Sequence, residues 1–161
     1  MPVTSDIVAT YRGPRKVVRR LMDLGQREDR ALAFLMGFAV IAFVAQLPRL
    51  ARVAHLEDQE LNMLMGGALL GTVFILPLLL YVIAAVGQGV ARLLGGGATG
   101  FGARLALFWA LLASTPVLLF HGLVAGFIGP GPVQFGVGLV WFALFFWFWI
   151  SGLKEAGAEA A

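Results

Sequence analysis

The sequence predicts an all-α integral membrane protein, with four transmembrane helices preceded by a basic amphipathic helix in the membrane interface. Three observations carry this. Hydrophobic residues make up 60% of the 161 positions and charged residues 13%, against about 45–50% and about 25% in soluble domains. Uncharged stretches at 61–91 and 105–153 exceed the about 20 residues a helix needs to cross the hydrocarbon core. Seven of the 12 Lys and Arg precede the first apolar run, as a basic collar beside a membrane segment does. With a mean hydropathy of +0.87, a chain this short could not hide its apolar surface inside a soluble globule. A soluble enzyme and a disordered chain are excluded.

The N-terminal segment, 1–30, is read as a cytoplasmic tail. Thr4-Ser5-Asp6 is a helix start ahead of Ile7, and Gly13-Pro14 then breaks the chain. From Pro14 to Leu24, Arg15, Lys16, Arg19 and Arg20 fall on one helical face. Val17, Val18, Leu21 and Leu24 fall largely on another. A helix of this kind lies in the interface, and its four cations are the candidate contact with anionic lipid or a partner. Glu28 and Asp29 suit the first turn of the following helix.

The first span is placed at 31–50. The second, 62–91, is one long helix, because 31 uncharged residues reach about 46 Å at 1.5 Å each, too short for two crossings and a turn. The 49 uncharged residues that follow are too long for one crossing, and Gly129-Pro130-Gly131-Pro132 divides them. The third span is then 105–128 and the fourth 133–153, with a tail at 154–161. Lys and Arg in the short loops set the orientation. With the N-terminus inside, the inner side holds ten basic residues and the outer side two, so both termini are expected in the cytoplasm. No cleavable signal peptide is expected, because the first 30 residues are polar and charged.

Chemistry inside the spans is sparse. No Asp, Glu, Lys or Arg is expected in the bilayer core, and His121 is the candidate intramembrane polar site. Pro77 and Pro116 are expected kinks. Each removes the donor for the carbonyl four residues back, that of Val73 and of Leu112, and hydroxyls, neighbouring helices or water must serve those groups. Gly67-x3-Gly71 and Gly122-x3-Gly126 are small faces for close helix packing, within the chain or between copies. Phe145, Phe146, Trp147, Phe148 and Trp149, just before Lys154, are read as an interfacial aromatic anchor. His55, Glu57, Asp58 and Glu60 form a solvated outer loop. There is no cysteine, no HExxH, no phosphate loop and no nucleophile elbow. No enzyme, cofactor or metal is expected, and the segregated charges do not suit nucleic acid.

The order of features resembles the bacterial branch of the Yip family, multispan membrane proteins named for Ypt/Rab-interacting relatives. A Pro-containing basic tail precedes the first span. A long second helix ends in a Gly-rich turn. Gly100-Phe101-Gly102 then leads into a helix with Phe108, Trp109 and an interior Pro116. The likeness covers about residues 10–153 and is strongest from Gly95 to Leu119. Tyr11-Arg12-Gly13-Pro14 loosely resembles a Tyr-Gly-Pro element of the eukaryotic members. Family members usually have five spans, against four counted here. The resemblance implies a non-enzymatic inner-membrane protein that organises membrane or recruits a partner. The expected partners are anionic lipid, another membrane protein or a second copy of the chain. The alternative is a small permease or an accessory subunit of a transport complex, with Pro77, Pro116 and His121 marking its path.

Overall fold

The computed structural model describes residues 3–160, so positions 1, 2 and 161 of the expected tails lie outside the described residues. All regular structure among them is helical. The elements are α1 (Val3–Thr10), α2 (Pro14–Asp23), α3 (Glu28–Leu56), α4 (Leu61–Leu69), a π-helical segment (Leu70–Ile75), α5 (Leu76–Leu93), α6 (Gly100–Ala113), α7 (Thr115–Phe127) and α8 (Pro132–Ala160). Three helices are long and apolar enough to cross a membrane: α3, the continuous α4–α5 rod and α8. The count is four if the bent pair α6–α7 is one span.

The helix ends differ from those drawn from sequence, and several of the differences have a local cause. The span placed at 31–50 runs to Leu56, straight through Pro48. Proline costs a hydrogen bond but need not end a helix whose neighbours accommodate the ring, and here Pro48 lies against Gly126 of α7. The span placed at 62–91 is Leu61–Leu93. Before Pro77 the helix widens into the π segment, where the Leu76 N–H reaches the Gly71 carbonyl five residues back. The rod ends at Gly95, whose positive φ of 92° lets Gly95 and Gly96 donate back to Arg92 and Ala91.

The third span shows the largest difference in detail. The segment 105–128 lies in two helices bent by 46°, with the break at Ser114, two residues before Pro116. The first of them begins earlier than expected, at Gly100, where the Thr99 hydroxyl caps it by accepting from the Gly102 N–H at 3.0 Å. The fourth span does not stop at residue 153. Helix α8 continues to Ala160, so the expected tail 154–161 is helical through its described part.

Helix α6 fills the centre. All its residues except Gly100 and Arg104 are buried. Helices α3, α5 and α8 surround it, and α1 and α2 cover the side they leave open. An all-round apolar helix needs this enclosure. The bundle therefore has two ends. The terminal end carries α1, α2, the start of α3, the turn at 94–99 and the end of α8. The loop end carries the turns at 57–60 and 128–131.

Candidate functional site

The basic helix forms where the pattern places it, with Pro14 in its first turn and Val17, Val18 and Leu21 buried. Its apolar face is not offered to lipid. It packs on α8 and α6, with Val18 beside Gly152 and Met22 beside Gly102. The apolar side that α6 leaves uncovered is what α2 fills.

The four candidate cations divide. Arg15 and Arg19, one turn apart, both donate to the buried Glu155 of α8, at 3.0 and 2.6 Å. Arg20 pairs with Asp6 of α1. Lys16 is exposed and has no ion pair among the described residues, like Arg12 just before it. Sequence reasoning missed Glu155. The two arginines at i and i+4 can clamp one carboxylate, but no pattern names a partner about 140 positions away.

Helix α1 adds its own anchors. Trp109 of α6 donates to the Thr10 hydroxyl at 3.0 Å, and Thr10 in turn donates to the Asp6 carbonyl at 2.7 Å. The Tyr11 ring stands edge-on to Phe148 with centroids 5.0 Å apart. Burial pushes the Tyr11 phenol up in pKa, so it stays a donor, and it donates to the Ala113 carbonyl at 2.7 Å.

That last bond belongs to the break. Three successive carbonyls there each accept from a hydroxyl: Leu111 from Ser114 at 2.8 Å, Leu112 from Thr115 at 2.7 Å, and Ala113 from Tyr11. The Leu112 carbonyl is the one that Pro116 deprives of its usual donor. Trp141 of α8 donates to the Ser114 oxygen at 3.0 Å. A stretch of backbone that would be costly in hydrocarbon is thereby satisfied.

The small faces also divide. Gly122 lies against the Ala45 backbone of α3 and Gly126 against Pro48, so this pair is a contact within the chain. A Cβ on Gly67 or Gly71 would meet nothing within 4 Å. His121 is half-buried beside a cavity of about 260 Å³ that Gln46 and Arg49 also line. It has no hydrogen bond among the described residues, whereas Gln46 donates to Thr72 at 2.7 Å. Because α3 continues past Pro48, Arg49 sits on a helix rather than in a loop.

The aromatic cluster divides as well. Phe145 and Phe148 are core residues, while Phe146 and Trp147 are exposed. Trp149 packs on Gly87. No group of three or more metal-ligating side chains is present among the described residues, and the acids at 57–60 lie in a turn in which Gln59 donates to Glu57.

No protein-family model, curated protein or solved structure matches the chain. The likeness to the Yip family therefore rests on the quoted residues alone.

Proposed function

We propose that this chain is a non-enzymatic membrane-organising protein of the bacterial inner membrane. Both termini lie in the cytoplasm, and the chain works as a scaffold for anionic lipid and a membrane partner, as the Yip-like pattern implies. The observation that carries this reading is the buried α6. It puts packed side chains where a conduit through the bundle would run, and it leaves the distinctive chemistry on outward surfaces. One surface is the basic terminal end, which the distribution of Lys and Arg assigns to the cytoplasm. The other is the open Gly67–Gly71 face, which suits a second helix, from another protein or from a second copy.

The test is gentle extraction of the tagged protein from its own membrane, with mass spectrometry of what accompanies it. The expected result is retained anionic lipid, together with a protein partner or a second copy. One observation favours the alternative, a small permease or transport accessory subunit: His121, Gln46 and Arg49 share a cavity beside the helix break. A solute flux abolished by His121→Ala at normal abundance would replace the scaffold with that reading.

A further inference from the structure

Helices α1 and α2 are joined by the turn at 11–13, and between them lies a groove of about 410 Å³ lined by Ser5, Val8, Ala9, Arg12, Gly13, Lys16, Val17 and Arg20. Lys16 and Arg20 lie one turn apart on α2 and so share one side of the groove, and Arg12, in the turn just before α2, lines it as well. Among the described residues, Arg12 and Lys16 have no ion pair, while Arg20 is already neutralised by Asp6. The first turn of α2 has no side-chain cap on its N–H groups, and those amides add positive potential beside Lys16. The remaining lining is apolar, at Val8, Ala9 and Val17, and Val8 is exposed.

From this juxtaposition we infer that the groove between α1 and α2 binds the phosphate of an anionic phospholipid, with Arg12 and Lys16 as its ligands and the Ser5 hydroxyl as a further donor. A soluble anion would use only the cations. A phospholipid also covers the apolar strip, because its glycerol and first methylenes follow the phosphate. Of the four cations chosen from sequence the assignment keeps Lys16 alone, and it adds Arg12; Arg20 is taken up by Asp6. Arg15 and Arg19 hold α2 to α8 through Glu155, and Arg12 and Lys16 meet the lipid. It rests on the lipid-organising reading above and narrows it to one site.

The experiment compares phosphatidylglycerol and phosphatidylcholine retained by the full chain in mixed nanodiscs, read by native mass spectrometry. The wild type should prefer phosphatidylglycerol. At about fivefold per basic residue near a membrane surface, Arg12→Gln with Lys16→Gln should lower that preference roughly 25-fold, with thermal stability unchanged because neither side chain has an ion pair among the described residues. Lys16→Arg should restore most of it. Arg15→Gln with Arg19→Gln should keep the preference and lower the melting temperature. If the wild type shows no preference, the lipid-organising reading falls together with the groove. If the wild type prefers phosphatidylglycerol and the Arg12/Lys16 variant does too, only the groove assignment falls. Displacement of the lipid by excess inorganic phosphate would also overturn it, in favour of a free anion.

Discussion

Gly122-x3-Gly126 and Gly67-x3-Gly71 are the same motif on two helices, and their surroundings are opposite. The first is closed. A Cβ at Gly122 would stand 2.9 Å from the Ala45 carbonyl carbon, and one at Gly126 would stand 2.6 Å from that of Pro48. The second is open on all sides out to 4 Å. Small residues permit close backbone approach, but they do not say which helix approaches. In the closed pair the approach is made by α3, and the break at Ser114 contributes by redirecting α7 relative to α6. In the open pair the π segment covers part of the same stretch of rod, and the bundle packs by other faces.

The comparison breaks most easily at its closed half. Gly122→Ala or Gly126→Ala should each cost about 3 kcal/mol, because the obstacle is backbone and cannot rotate away. Unfolding in mixed micelles measures this, and a loss under about 0.5 kcal/mol would mean that α3 and α7 do not approach this closely.

The next effect tests whether the terminal end is held as firmly. Glu155→Gln should destabilise by about 1 kcal/mol. Arg15 and Arg19 are 54% and 59% exposed and are rehydrated when released, so the full penalty for an orphaned buried charge does not apply. Hydrogen exchange reads this loss: α2 should exchange faster in the Gln variant than in the wild type, and equal exchange would mean that Glu155 does not hold α2 to α8.

A smaller effect is expected at the break that aims α7. Ser114→Ala removes the donor to Leu111 and the acceptor for Trp141, at about 0.6 kcal/mol per bond in a membrane setting. About half of that loss in Trp141→Phe, with the double variant no less stable than Ser114→Ala, would show that the two changes share the Trp141 bond.

The smallest effect belongs to the open face. Gly67→Ala and Gly71→Ala should leave the single chain unchanged or stabilise it by about 0.5 kcal/mol, since alanine is the better helix former. Gly67→Leu with Gly71→Leu should abolish self-association or partner retention while the monomer stays folded. Retention of every partner in that variant would leave the open face without a role.

Some of this was legible along the chain. The uncharged runs and the Gly-Pro turn located the helices, because a bilayer demands a nearly constant apolar length and an internally satisfied backbone. The period of residues 14–24 showed an amphipathic basic helix, because helical geometry sorts residues by spacing. Ser114-Thr115-Pro116 announced freed carbonyls, since proline's missing N–H is a local fact. What no local pattern contains is the identity of a partner. Glu155 beneath Arg15 and Arg19, Tyr11 on the Ala113 carbonyl and α3 against Gly122 rather than Gly67 are all contacts between distant positions. In a chain this uniformly apolar, one buried face reads much like another. Sequence thus determined roughly where the long helices lie and which residues can approach closely, through backbone and solvent constraints that act within a few turns. Only the tertiary structure decided which faces close, because that depends on how whole helices fit together in space.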